Sequence, residues 1–340
     1  MANYYDIKGQ KVQNLATDPS PGTEGQLWYN TTSNTAKFNS VTSADAWSTG
    51  GSYPAAYQGG AGFGTQTAAV GAGGTPSPVF NLKTFEYDGS TWTAGNDMTR
   101  ASGSPYTSGY NAGSGTLTAG WVAGGGYPTI NAFTENYNGT SWTASAAMPA
   151  ARRGGNCTGP QTAGLYFAGV FPAGPPAPVQ NTTFAYDGEA WTATGYNLTN
   201  ARTNAGGSGP TGSQTAALSF GGNTPGFTNA TEEYDGSNWA TGGNYPTGTA
   251  YLGYFGPSTN CYGFTGYSGG SALTSTNFYN GTSWASSPAS LSTGRLNYHN
   301  NAGTASSGLV FGGEGASGNI SQTEEFNAAG SIETKTLTTS

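Results

Sequence analysis

Six short apolar runs, each ending in glycine, punctuate the chain. They are TAAVGAGG at Thr67–Gly74, TAGWVAGGG at Thr118–Gly126, TAGLYFAG at Thr162–Gly169, TAALSFGG at Thr215–Gly222, YGFTGYSGG at Tyr262–Gly270 and SSGLVFGG at Ser306–Gly313. Large residues alternate with Gly and Ala, which predicts strands near a crowded axis where neighbouring backbones approach closely. Between these runs lies a second element, Tyr-Asx-Gly-x-x-Trp, at Tyr87–Trp92, Tyr137–Trp142, Tyr186–Trp191, Tyr234–Trp239 and Tyr279–Trp284. Degenerate copies flank it at Phe38–Trp47 and Phe326–Ile332. Strands such as TFEY precede the Asx-Gly pair and a Trp strand follows, so each copy predicts a hairpin. The Asx-Gly pair suggests a type I′ turn with positive φ at both central residues. No stretch shows helical periodicity.

The regular tryptophans, Trp47, Trp92, Trp142, Trp191, Trp239 and Trp284, fall roughly 45–50 residues apart, the period of a blade of four short strands. Their regular placement predicts core residues packed between neighbouring sheets. An arginine follows most of them: Arg153, Arg202 and Arg295 eleven residues on, and Arg100 eight residues after Trp92. This recurrence suggests a structural role, with guanidinium donors bonding loop carbonyls at blade junctions. The fold class expected is all-β: a six-bladed β-propeller, seven blades being compatible with the seven Trp-like positions. The Trp47 segment and IETKTLT near the C-terminus are expected to come together and close the ring, which removes exposed sheet edges. Residues 1–46 are expected to form an N-terminal segment with a β-hairpin, QLWYN and TAKFN around Thr31–Asn34, and residues 47–340 the propeller.

Composition narrows the chemistry. Charged residues are only 8% of the chain, yet 13% is aromatic, enough apolar surface for a folded core with a Ser, Thr, Asn and Gly exterior. A net charge of −7 and scattered Lys and Arg argue against a nucleic-acid partner. No stretch approaches the length of a membrane span, and the first ten residues do not read as a secretory signal. Cys157 and Cys261 read as free, buried thiols, and with His299 they cannot complete an ordinary zinc site. No metal or cofactor is expected. Glu232-Glu233, Glu324-Glu325 and Glu86 are the candidate acids for a glycan-degrading enzyme, but they share one repeat position, which favours a structural or solvated role over paired acid and base work. His299 is expected in a loop or at the surface. Trp121, aligned with Leu218 and Leu309, is expected in the core.

The Gly-Gly after an apolar strand, then Glu-x-Tyr-Asp, a spaced Trp and a Met-to-Arg segment (Met98 to Arg100, Met148 to Arg153) resemble the kelch repeat over about Trp47 to Leu337. YNGTSW, with its Gly- and Thr-rich, nearly charge-free blades, is similar to kelch-like repeats in virion proteins of tailed bacteriophages. The segment Ala16–Asn39, with its GQLWYN core, resembles a short module of phage structural and tail-fibre proteins. The resemblance implies a virion component, a fibre or surface decoration protein without catalytic activity. It would be assembled in the host cytoplasm and exposed on the particle. Residues 1–46, with Trp28 and Tyr29, would contact other virion proteins. Loops after the Gly-Gly strands vary in length, and variable loops on a constant scaffold are a common binding arrangement. Phe80, Tyr127, Phe171 and Phe227 in those loops are the candidate contacts to a host-surface glycan or protein. A homo-oligomer is compatible with this reading, although no heptad repeat specifies one. Two alternatives stay open: a secreted or cell-surface adhesion propeller, for which Asn30, Asn138, Asn197 and Asn280 supply glycosylation sequons, and the glycan-degrading enzyme.

Overall fold

The structure is a computed structural model that describes residues 12–19, 22–42, 44–74, 81–99, 109–126, 129–171, 178–330 and 332–337. The chain divides into two compact units, one of residues 1–46 with 327–340 and one of Trp47–Phe326. Residues 327–340 fall in the smaller unit, although the repeat pattern alone places them with the propeller.

The larger unit is a ring of six four-stranded antiparallel sheets. Blades are numbered by the chain order of their innermost strands: Ala61–Thr65, Ala112–Thr116, Asn156–Thr158, Gly206–Gly207, Gly253–Phe255 and Asn301–Gly303. Each innermost strand neighbours the next around the ring, and the sixth neighbours the first. The Gly-ending run forms the second strand, the segment before Tyr-Asx-Gly the third, and the Trp segment the outermost. Blade six takes its outermost strand, Ala46–Thr49, from the other end of the chain. The described part of the C-terminal IETKTLT segment, Ile332–Thr336, does not join it. Once Ala46–Thr49 occupies the outer edge, Ile332–Thr336 pairs instead with Thr35–Val41 in the smaller unit.

Glycine in the second strands makes room for the neighbouring blade. A Cβ on Gly120 would lie 2.0 Å from Phe63, and one on Gly164 2.5 Å from Trp121. Each junction therefore builds its own apolar core. Phe63, Val70, Met98, Val122 and Trp142 fill the first. Trp121, Met148, Tyr166 and Tyr186 fill the second, where the Trp121 indole also donates to the Gly159 carbonyl. At the closing junction Trp47 packs edge-on against Phe264 at 4.9 Å and tilted against Phe326 at 5.2 Å. Cys157 and Cys261 are free and buried in these cores, and burial pushes both thiols up from their ordinary pKa.

The repeat turns differ from the type I′ expectation. Tyr87 pairs with Trp92, and only Gly89 between them has positive φ, 93°. The same holds for Gly139, Gly188, Gly236 and Gly281, while the preceding Asp or Asn keeps negative φ. Positive φ at the first central residue alone is the type II′ pattern. The Asx side chain acts as an acceptor: Asp88 Oδ1 takes the Ser90 and Thr91 N–H groups at 2.8 and 2.7 Å, and Asn138 Oδ1 takes those of Thr140 and Ser141 at 2.9 and 2.8 Å. One side-chain oxygen suffices, so Asp and Asn interchange. The N–H donors from Thr91 and Ser90 hold Asp88 down to a pKa of about 2. A depressed carboxylate stabilises the fold above its unfolded value near 3.8 and loses that contribution as pH falls through about 2. Asp88→Asn should leave stability at pH 7 within about 0.5 kcal/mol of wild type, because the group is solvent-exposed and screened, and should remove its share of the acid dependence. Parallel acid denaturation of the two proteins checks this, and a marked loss at pH 7 would contradict the acceptor role.

In the smaller unit, Leu27–Asn30 and Thr35–Val41 form the expected hairpin, with Asn30 opposite Thr35. Gln13–Leu15 adds in parallel to Leu27–Asn30. Asp18 ties the sheet together. Its Oδ1 accepts from Trp28 Nε1 at 3.1 Å and Asn30 Nδ2 at 2.6 Å, and Lys37 Nζ lies 2.6 Å from Oδ2. Burial alone would raise the Asp18 pKa, but these donors and the Lys37 charge bring it below the ordinary value.

Candidate functional site

The repeated polar residues are engaged inside the ring. Every repeat tryptophan donates its indole N–H to a threonine on the third strand of the preceding blade. The pairs are Trp47 with Thr276, Trp92 with Thr323, Trp142 with Thr84, Trp191 with Thr134, Trp239 with Thr183 and Trp284 with Thr231, all at 2.8–3.0 Å. The repeat tyrosines reach back in the same direction. Tyr87, Tyr137 and Tyr279 donate to Glu325, Glu86 and Glu233, and Tyr186 donates to Asn136 Oδ1 at 3.0 Å. In the blade before Tyr234 the acceptor position holds Ala185, and Tyr234 bonds its own turn at the Gly236 carbonyl instead. Before Phe326 it holds Phe278, so an acceptor is missing where the hydroxyl is missing.

Arg202 and Arg295 are fully buried. Arg202 pairs with Glu232 at 2.5 Å and donates to the Gly221 and Ala230 carbonyls at 3.2 and 2.8 Å. Arg295 pairs with Glu324 and donates to the Gly312 and Gln322 carbonyls at 3.0 and 3.1 Å. Counting eleven residues from Trp misassigns blade three. The N–H groups of Gly125, Gly169, Gly222, Gly266 and Gly313, which follow the second strands, donate to the carbonyls of Arg152, Arg202, Thr249, Arg295 and Tyr57 in successive copies. Each lies four residues after a buried anchor: Met148, Leu198, Tyr245, Leu291 and Tyr53. The structural arginine of blade three is therefore Arg152, which is buried and faces the rings of Phe171 and Phe184 at 5.3 and 5.7 Å. Arg153 is released from the repeat role. Arg100 lies outside the described residues.

Arg153 lines an opening at the ring axis. A cavity of about 240 Å³ is bounded there by Tyr110, Arg153, Thr203, Asn204, Tyr251 and Tyr298, with Gly154 and Val170. Apart from Val170, which follows the second strand of blade three, these residues come from the connections that enter the innermost strands, so the ring brings them together from distant stretches of chain. A main-chain ladder holds the rim: Tyr110 N–H to Gly59, Gly154 to Tyr110, Asn204 to Gly154, Tyr251 to Asn204 and Asn297 to Tyr251, at 2.6–3.1 Å. The rim backbone is left-handed, with φ of 58° at Tyr110, 52° at Asn204 and 58° at Tyr251. Gly59 and Gly154 fill equivalent positions at 70° and 62°. A non-glycine there costs about 1–3 kcal/mol, so two tyrosines are held where glycine would be easier.

The tyrosine rings lean on one another. Tyr298 meets Tyr110 at 5.2 Å and 64°, and Tyr251 at 4.9 Å and 58°. The Arg153 guanidinium sits 5.7 Å over the Tyr110 ring. Tyr298 donates to Glu314 Oε2 at 3.3 Å. Burial, with Glu314 adding to it, raises the pKa of Tyr298, and burial raises that of Tyr251. His299, next to Tyr298 in sequence, is buried rather than at the surface, with φ of 73°. Its Nδ1 lies 3.0 Å from the Tyr254 hydroxyl, which also donates to Asn156 at 3.1 Å. Burial lowers the imidazole pKa to about 4, so it is neutral at pH 7.

The structure titled "Structure of YjhT", a kelch-like β-propeller, superposes with a TM-score of 0.66 at 16% sequence identity, covering 85% of this chain and 100% of YjhT. The chain carries an all-β propeller fold. No family model and no curated protein matches it by sequence.

Of the loop residues singled out from the sequence, Phe171 and Phe227 are not among the residues lining the axial cavity. Phe171 is 39% exposed but lies over Arg152. Phe227 is 43% exposed and meets Tyr267 edge-on at 5.9 Å. Phe80 and Tyr127 lie outside the described residues. In the smaller unit, Trp28 is fully buried and bonded to Asp18, so its ring is not presented for attachment, whereas Tyr29 is 37% exposed. The candidate acids Glu86, Glu232, Glu233, Glu324 and Glu325 bond the repeat residues described above, and none lines the axial cavity. Among the described residues no cluster of His, Cys, Asp and Glu could hold a metal, and no helix is long and apolar enough to cross a membrane. The axial residues escaped the sequence reading because they share no motif. Counting from the buried anchor instead of from Trp would have separated Arg153 from the repeat.

Proposed function

We propose that this chain is a virion component of a tailed bacteriophage, a fibre or surface decoration protein. Its propeller would recognise a host-surface glycan through the axial opening and flanking loops, and its smaller unit would join it to other virion proteins. The observation that carries the recognition reading is the division of labour among polar groups. Repeated side chains bond one another inside the ring, while Tyr110, Arg153, Asn204, Tyr251 and Tyr298, which do not repeat, line one cavity. Aromatic rings beside a few fixed polar groups are the usual make-up of a small-ligand site. The virion reading is supported by the wording of the repeat and of Ala16–Asn39. A cell-surface adhesin would use the same opening, and particle composition separates the two. Mass spectrometry of purified particles should find the chain in mature virions, and the purified chain should compete with particles for adsorption to host cells. Absence from particles would remove the virion role, and absence of competition would remove the recognition role.

A further inference from the structure

We infer that a groove between blades five and six holds a neutral stretch of glycan longer than one sugar, with the Glu314 carboxylate accepting from its hydroxyls. This rests on the recognition reading above and adds a second subsite with its ligand class.

Two hairpins wall the groove. In blade five Tyr267–Ser268 pairs with Ser271–Ala272, and in blade six Glu314–Gly315 pairs with Gly318–Asn319. Both stand in the connection between the second and third strands, and among the described residues no other blade has a two-stranded sheet there. Gly269 and Gly270, with φ of 58° and 88°, form the left-handed pair of a type I′ turn, whose twist matches the strands it joins. The bases are pinned too. Tyr267 exchanges main-chain hydrogen bonds with Ala250 at 2.8 and 3.2 Å, and Glu314 with Leu296 at 3.0 and 2.8 Å. The walls are therefore set before a ligand arrives, so little ordering is lost on binding. At about 770 Å³ the groove lies within the roughly 300–1,000 Å³ of ligand pockets and has room for more than one pyranose ring.

The lining decides the ligand. Tyr267, Ser271, Ser292 and Thr293 bring four hydroxyls, and Glu314 is the single charged side chain. Among the described residues none hydrogen-bonds those hydroxyls or Glu314 Oε1, in contrast to the repeat residues bonded inside the ring. The Tyr298 hydroxyl donates to Glu314 Oε2 at 3.3 Å, which holds the carboxylate and leaves Oε1 as the open acceptor. Tyr298 also lines the axial cavity, so one hydrogen bond joins the two sites. Each lining hydroxyl can both donate and accept, as each sugar hydroxyl can, and a sugar hydroxyl on Glu314 makes a charge-assisted bond. An acidic sugar or a phosphate would bring like charge to Glu314 with no lining cation to offset it. A basic ligand would use the carboxylate alone and leave the four hydroxyls unmatched. The Tyr267 ring and Leu296 supply apolar surface for the C–H faces of the sugars.

The test is calorimetry of the full chain against trimers of glucose, galactose and mannose in α and β linkage, with a galacturonic acid trimer and a chitosan trimer as charged counterparts. At least one neutral trimer should bind, more tightly than its own monosaccharide and than both charged trimers. Glu314→Gln should weaken that binding about tenfold through loss of the charge-assisted bond, and Thr293→Tyr, which adds bulk to the groove, should abolish it. Asp88→Asn, in a repeat turn, should bind as wild type, and unchanged thermal midpoints would show that the variants fold. No binding of any neutral trimer, tighter binding of either charged trimer, or binding that survives Thr293→Tyr would overturn the assignment. Competition with particles for adsorption separates the two levels. A chain that competes yet binds no neutral trimer would sink the groove and keep recognition, while a chain that does neither would sink both.

Discussion

Glu232→Gln should destabilise the propeller by about 3–5 kcal/mol, read as a shift in the denaturation midpoint. Arg202 is fully buried, and desolvation already lowers its pKa. Removing the one charged partner leaves an uncompensated cation, whose cost exceeds the net worth of the pair itself. The double variant Arg202→Met, Glu232→Leu should recover most of the loss, since packed apolar residues replace a buried pair at little cost. The ring already contains copies without the pair. Blade five has Thr249 and Asn277 at these positions, and blade one has Tyr57 and Phe85. Blade three keeps Arg152 but places Phe184 where Glu232 stands, so its guanidinium rests on rings and on Thr182 Oγ1 at 3.1 Å. A loss under about 1 kcal/mol for Glu232→Gln would show the pair to be solvated and the structural assignment wrong.

Trp47→Ala should have an effect of the same size, about 3–5 kcal/mol. Trp47 is carried by the strand from one end of the chain that completes the sheet built by the other. Its ring meets Phe255, Phe264 and Phe326 at 4.9–6.1 Å. Thr276→Val removes only the acceptor of its indole N–H and should cost about 1 kcal/mol. Equal effects from the two variants would mean that closure depends on the hydrogen bond and not on packing.

Much of this scaffold was legible in the sequence because repetition forces equivalence. Gly120 and Gly164 recur where a Cβ would strike the next blade, and the six tryptophans recur where six threonines accept their N–H groups. Finer features failed where one residue of slack mattered. The Asx-Gly pair by itself suggests two central turn residues, yet Asp88 and its equivalents stand just before the centre and act through a side-chain oxygen. Arg153 falls into the eleven-residue arginine series because Met148 lies six residues after Trp142, whereas Leu198 and Leu291 lie seven after Trp191 and Trp284. The axial opening was not legible at all. Tyr110, Asn204, Tyr251 and Tyr298 lie in connections of unlike sequence, and only ring closure makes them neighbours.

The division between a repeating scaffold and a recognising opening is tested most directly by adhesion of folded variants to host cells. Arg153→Gln and Tyr298→Ala should each reduce adhesion at least about tenfold with an unchanged melting midpoint, whereas Phe227→Ala should leave it within about twofold. Full adhesion by both opening variants, or its loss in Phe227→Ala alone, would contradict a binding site at the axis.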